Sequence, residues 1–67
     1  MADIRIKREG AGLYCLVIVT DAAAAWVETH VQAEPWQWLG DMLVVEGSDR
    51  ALDIMRGARG AGFSVEV

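Results

Sequence analysis

The chain has 67 residues, of which 54% are hydrophobic, and its formal net charge at pH 7 is −4. This length allows a single domain, residues 1–67, because a second hydrophobic core needs a longer chain. The hydrophobic content excludes an intrinsically disordered chain, and the acidic balance argues against nucleic-acid binding, which depends on clusters of basic residues.

The first two predicted elements are strands joined by a glycine turn. Residues 4–7 alternate apolar and charged side chains, which is typical of a strand with one solvent-exposed face. Gly10 and Gly12 follow and indicate a turn. Residues 13–19 are then apolar throughout, which predicts a strand that is covered on both faces.

The first predicted helix follows this strand. Thr20 or Asp21 can cap it, because either side-chain oxygen can accept a hydrogen bond from a free backbone N–H. The helix must end before Pro35, since proline disfavours helical geometry in the residue that precedes it. The residues of its apolar face recur at helical spacing: Ala23, Trp26, Val27, His30 and Val31.

The middle of the chain is predicted to form a hairpin. Residues 36–39 place Trp36 and Trp38 on one side if they are extended. Gly40 and Asp41 are suited to a two-residue turn of type II′, with glycine first. Residues 42–46 then give a second continuously apolar strand that ends in a glutamate.

A second helix and a closing strand complete the predicted order. Ser48 or Asp49 can cap this helix, and Gly60 and Gly62 can end it. Residues 63–67 alternate apolar and polar side chains and predict a strand. The apolar face of the helix consists of Ala51, Ile54, Met55 and Ala58.

From residue 13 onward the predicted order is β-α-β-β-α-β, which resembles the ferredoxin-like split βαβ fold. The resemblance is to the order of elements and not to a sequence motif. It implies an α+β two-layer sandwich in which the strands at residues 13–19 and 42–45 are central and residues 4–7 form an extra N-terminal strand. The strands at residues 4–7 and 63–67 compete for one position beside residues 13–19. If residues 36–39 form a loop, the alternative is a ββαβαβ mixed sheet.

Few residues can support catalysis or metal binding. One cysteine and one histidine are too few for a structural zinc site, and a single cysteine cannot form an intrachain disulfide. Cys15 lies within an apolar strand, where burial opposes formation of the reactive thiolate. No spacing around His30 supports a catalytic triad. We therefore expect no enzymatic activity, no metal and no cofactor.

The sequence also bears on localisation. No basic region followed by an apolar stretch is present near residue 1, so we expect no signal peptide. The longest apolar run, residues 13–19, is too short to cross a bilayer. A free thiol without a secretion signal favours a reducing compartment. We expect a cytoplasmic protein that binds no membrane.

Apolar strands and tryptophans together predict an interaction protein. The two helices of a two-layer fold cover one sheet face, whereas both central strands are apolar on both faces, so the other face should attract a partner. We expect a homodimer through this open sheet face, with an interface formed by Tyr14, Leu16, Ile18, Leu43 and Val45. Trp36 and Trp38 are the expected contacts for a protein partner, because tryptophan is enriched at binding hot spots.

The expected function is therefore a small non-enzymatic interaction or regulatory protein, such as a phage or plasmid accessory or inhibitor protein, that acts as a homodimer. The alternative is a small-molecule-sensing module similar to the amino-acid-binding ACT type, whose ligands bind between subunits. That alternative needs a polar pocket at the dimer seam. Few polar residues are available for one, because Thr20, Thr29, Ser48 and Ser64 are scattered along the chain.

Overall fold

The computed structural model describes residues 2–67. A β-hairpin opens the chain, and a helix, a short 3-10 turn, a second hairpin, a second helix and a last short strand follow. The elements are β1 (Ile4–Gly10), β2 (Leu13–Ile18), α1 (Asp21–His30), the 3-10 turn (Pro35–Gln37), β3 (Trp38–Leu39), β4 (Met42–Glu46), α2 (Ser48–Gly60) and β5 (Val65–Glu66).

The strands form one five-stranded mixed sheet in the order β3-β4-β2-β1-β5. β1 and β5 are parallel, and every other neighbouring pair is antiparallel. Both helices pack on one face of this sheet. The fold is therefore α+β and compatible with a ferredoxin-like sandwich. Among residues 2–67, neither helix has the length and apolar character needed to cross a membrane.

The position beside β2 is taken by β1. A local hairpin joins the two strands, and its turn ends at Gly12, whose φ of 72° lies in the left-handed region that favours glycine. β5 pairs instead with the outer edge of β1, where Val65 lies opposite Ile4. A hairpin between neighbouring segments loses little chain entropy on closing, which accounts for this choice.

Several predicted strand boundaries and one predicted cap differ from the structure. β1 extends to Gly10, beyond the predicted residues 4–7, and β2 ends at Ile18, one residue before the predicted end. Only Trp38–Leu39 is extended in the predicted strand at residues 36–39, because the three residues from Pro35 form the 3-10 turn. The closing strand is shorter than residues 63–67 and comprises Val65–Glu66. The predicted cap of α2 is wrong: Gly47 is the N-cap residue, at a φ of 93° and with no side-chain cap. The cap of α1 is confirmed, since the Ala23 N–H donates to Thr20 Oγ1 at 3.3 Å.

The core lies between the sheet and the two helices. Its large side chains come from even-numbered positions of β1 and β2 and odd-numbered positions of β4, because alternate residues of a strand point to the same face. Small residues on the helices, including Ala23, Ala51 and Ala58, let the helix backbones approach the sheet. The most completely buried large side chains are Ile4, Leu16, Val27, Leu43 and Val45.

This packing corrects the expected dimer interface. Leu16, Ile18, Leu43 and Val45 are buried in the core beneath the helices, and Tyr14 packs against the same core. The register explains their shared placement, since Tyr14 lies opposite Val45 and Leu16 lies opposite Leu43. All five residues therefore stabilise the monomer. The opposite parity of β2 and β4 forms the open sheet face.

Asp3 connects the beginning and the end of the chain. Its carboxylate accepts hydrogen bonds from the Ser64 backbone N–H and from Thr20 Oγ1, each at 2.9 Å. Its own N–H donates to the Ser64 carbonyl at 2.9 Å, and its carbonyl accepts from the Val19 N–H at 2.8 Å. The bond from Ser64, and to a lesser extent that from Thr20, lowers the pKa of Asp3.

We expect Asp3→Asn to lower stability more at pH 7 than at pH 3. A carboxyl group whose folded-state pKa is lowered contributes stability above its ordinary pKa of 3.8, and the contribution is lost as the pH falls through the folded-state value. Urea unfolding of both proteins at the two pH values measures the difference. Asp41→Asn is the control, because within residues 2–67 the Asp41 carboxylate accepts no hydrogen bond. An equal loss at both pH values would contradict the prediction.

Candidate functional site

The sheet face opposite the helices carries an apolar cluster in its middle. The cross-strand pairs Val17–Met42 and Cys15–Val44 bring the side chains of β2 and β4 together there. Leu39 of β3 extends the row, since it lies opposite Met42, and its side chain is exposed. We call this set the open-face cluster: Leu13, Cys15, Val17, Leu39, Met42 and Val44.

Cys15 is a packing residue at the centre of the open-face cluster. It is 4% exposed, and its Sγ lies 3.4 Å from Met42 Sδ. Burial, together with the negative charge of Glu9, raises the pKa of the Cys15 thiol. The thiol is therefore protonated at neutral pH, the opposite of what a nucleophilic cysteine needs.

Charged side chains border the open-face cluster on both sides. On β1, Arg5 lies opposite Val17 and Lys7 lies opposite Cys15. On β4, Glu46 lies opposite Leu13 and is exposed. Arg5 also lies beside Glu66 of β5, with 3.7 Å between its Nε and the Glu66 Oε1. The face therefore has a border of mixed charge at β1, where Glu9 and Glu66 accompany Arg5 and Lys7, and an acidic corner at the end of β4.

The two tryptophans predicted to contact a partner have different environments. Trp36, in the 3-10 turn, is 65% exposed. Trp38 lies opposite Leu43 and packs against the core. Between them, the Gln37 side chain donates from Nε2 to the Val44 carbonyl at 2.9 Å, which covers part of the free edge of β4. Trp36 alone thus offers a large exposed ring.

A cleft of about 610 Å³ lies on the other side of the molecule, between α1 and α2. We call it the helix cleft. Trp26, predicted from its spacing to lie in the core, packs against the core and also lines this cleft. Its ring stacks with His30 at a centroid distance of 5.0 Å. The cleft also contains Val31, Gln32, Arg50, Asp53, Ile54 and Gly57.

His30 takes part in local contacts of α1. Its Nδ1 lies 3.0 Å from the Trp26 carbonyl oxygen, one helical turn earlier, a distance that suits a hydrogen bond in the tautomer with a protonated Nδ1. Within residues 2–67, no group of three or more histidine, cysteine, aspartate or glutamate side chains is placed to hold a metal ion. His30 lines the helix cleft together with Arg50 and Asp53.

Sequence reasoning missed Arg50 and Asp53, which line the helix cleft. Their positions on the polar side of α2 are typical of solvated residues, and no local signal shows that α1 approaches them. Comparison of the chain with protein-family models, with curated protein sequences and with solved structures finds no match in any of the three. A functional proposal therefore depends on the geometry of the open-face cluster, of the turn that carries Trp36, and of the helix cleft.

Proposed function

We propose that the protein is a small non-enzymatic interaction protein that acts as a homodimer, in which two copies pack through the open-face cluster. The supporting observation is that this apolar cluster lies on a sheet face that no helix covers, whereas the core beneath the helices is complete without it. Apolar patches on an uncovered face are typical of interaction surfaces.

A second copy of the chain is the occupant that the charges favour. In a two-fold dimer the same patch is used by both copies, so each contact occurs twice. If β1 of one copy crosses β4 of the other, Lys7 approaches Glu46 of the partner subunit on both sides of the apolar centre. A homodimer of this kind pairs Lys7 of each copy with the acidic corner of the other and covers both open-face clusters.

Charge reversal at these two positions tests the proposal. We expect light scattering to give a dimer for the unmodified protein at tens of micromolar. Lys7→Glu and Glu46→Lys should each weaken association about tenfold at low salt, because each creates two like-charge contacts. The double variant should recover dimerisation, since the pairs are restored with opposite polarity.

Arg56→Glu is the matched control for Lys7→Glu. It makes the same change in net charge at an exposed position of α2, on the other side of the molecule from the open-face cluster. Its association should equal that of the unmodified protein. A monomer at tens of micromolar in the unmodified protein would contradict the homodimer, and failure of the double variant to recover would contradict the Lys7–Glu46 contact.

Trp36 remains the proposed contact for a further protein partner. Its exposed ring belongs to a turn that is held in place by a capping interaction, in which the Glu34 N–H donates to Gln37 Oε1 at 2.7 Å. A large ring on a turn that is fixed by hydrogen bonds loses little conformational entropy on binding. Trp38 is not part of this proposal, because its ring is already packed against the core.

We also propose that the sheet is a variant of the ferredoxin-like one. In the ferredoxin-like arrangement the last strand would lie directly beside β2. Here β1 lies between β2 and β5, and the remaining order β3-β4-β2 is unchanged. Insertion of the N-terminal strand widens the sheet, and it adds the charged side chains of Arg5 and Lys7 to the open face.

The small-molecule-sensing alternative receives no support at the proposed dimer seam. The open-face cluster is apolar at its centre, so two copies of it would not form a polar pocket between subunits. Polar and charged side chains lie close to an aromatic ring elsewhere, in the helix cleft, which is on the opposite side of the sheet.

A further inference from the structure

The helix cleft contains one positive and one negative side chain on the same wall. Arg50 and Asp53 are three residues apart on α2, and both line the cleft. Side chains at this spacing are neighbours on a helix surface. In the part of the chain from residue 2 to residue 67, however, the only ion pair is Arg5–Glu66, so Arg50 and Asp53 do not pair with each other.

Arg50 is held in place from across the cleft. One of its terminal nitrogens donates to the backbone carbonyl of Gln32, just after α1, and its side chain therefore connects the two walls. A guanidinium group has five N–H donors, so this contact leaves donors for an acceptor inside the cleft. The bond lowers the entropy that Arg50 would lose when it binds a ligand.

The rest of the helix cleft combines an apolar surface with the side chains of His30 and Gln32. Trp26 packs closely on α2 because residue 57 is glycine: a Cβ at Gly57 would lie 3.1 Å from the Trp26 ring atom Cη2. Phe63, which does not line the cleft, supports the same ring from outside it at a centroid distance of 6.0 Å. Val31 and Ile54 complete the apolar lining. A ligand in this cleft thus meets opposite charges and an apolar surface together.

We infer that the helix cleft binds a free amino acid with an apolar side chain. Its carboxylate would accept hydrogen bonds from Arg50, its ammonium group would donate to Asp53, and its side chain would lie against Trp26 and Ile54. A zwitterion matches both charges. A phosphate or a simple anion would be repelled by Asp53, and a simple cation would be repelled by Arg50. The cleft volume of about 610 Å³ lies within the range of small-molecule sites.

Titration with L-leucine and L-phenylalanine, followed by 1H–15N NMR, tests this inference. We expect saturable shifts of the Trp26 indole N–H and the Gly57 amide at millimolar ligand. N-acetyl-L-phenylalanine lacks the ammonium group, and L-phenylalanine amide lacks the carboxylate. Each should bind at least tenfold more weakly than L-phenylalanine, because each leaves one charge of the cleft unpaired.

Substitutions test which group of the ligand each charged residue of the cleft binds. Arg50→Gln should weaken L-phenylalanine binding at least tenfold, and Asp53→Asn should remove the preference for L-phenylalanine over its N-acetyl derivative. Arg56→Gln, on the same helix but outside the cleft, should bind as the unmodified protein does. Absence of shifts at 10 mM amino acid, or equal binding by the Arg50 variant, would overturn the inference. The experiment is independent of the proposed dimer, because Lys7→Glu should leave amino-acid binding unchanged.

Discussion

Leu43→Ala should remove a large part of the free energy of unfolding. The Leu43 side chain is 0% exposed at the centre of the core, and truncation of such a leucine costs about 2–5 kcal/mol. A domain of 67 residues has a total stability of roughly 3–10 kcal/mol, so the loss is a large part of the whole. Urea unfolding followed by circular dichroism measures it.

Val44→Ala is the matched comparison for this prediction. Val44 is the next residue of the same strand, and it lies on the open face in partial contact with solvent. At concentrations where the protein is monomeric, we expect its truncation to cost less than about 1 kcal/mol, because fewer contacts are lost. Equal losses for the two variants under these conditions would contradict the assignment of the faces.

Val17→Lys should abolish dimerisation while it preserves the fold of the monomer. Val17 lies in the middle of the open-face cluster, between Arg5 and Met42 on the neighbouring strands. In the proposed dimer a lysine there would bury an unpaired charge, and we expect the dissociation constant to rise at least a hundredfold. In the monomer the same ammonium group can reach solvent, because no helix covers this face.

Sedimentation velocity of Val17→Lys over a range of concentrations checks the effect on dimerisation, and circular dichroism checks the fold. Leu52→Lys is the control, since Leu52 is a 42% exposed apolar residue on α2 and the substitution changes the charge equally. A Val17→Lys protein that still dimerises at tens of micromolar would show that the open-face cluster is not the interface.

Local patterns were sufficient to predict most of the elements. The apolar runs give β2 and β4 because uninterrupted apolar residues in a short segment favour a buried strand. Thr20 indicates the start of α1, and the glycine turn predicts the first hairpin. The sequence was less informative about strand ends. Thus Trp36 lies in a 3-10 turn, where Pro35 and the Glu34–Gln37 hydrogen bond determine the backbone.

The two faces of the central strands could not be distinguished from the sequence. Leu16 and Val17 are both apolar, as are Leu43 and Val44. Because side chains on both faces of these strands are apolar, their alternation does not show which face packs against the helices. The choice depends on where the helices pack, which is a property of the whole fold. The prediction of an apolar open face does not depend on that choice, whereas the predicted list of interface residues does.

The helix cleft depends on contacts between elements that are distant in sequence. Arg50 and Trp26 belong to different helices, and only the packing of α1 against α2 places them together. In the sequence, Gly57 is an ordinary glycine near the end of a helix. Only the structure shows that the Trp26 ring packs so closely on residue 57 that a Cβ there would crowd it. Sites of this kind need the tertiary structure before their residues can be recognised.

The parallel pairing of β1 and β5 also has a consequence for the order of folding. Val65 reaches Ile4 only after the chain has closed a loop of nearly its full length, and this step costs more entropy than the local hairpin of β1 and β2. The nucleus of folding is therefore expected in the β1–β2–β4 region, with β5 docking late. The same strand should be the first to detach, so local unfolding begins at the edge next to β1.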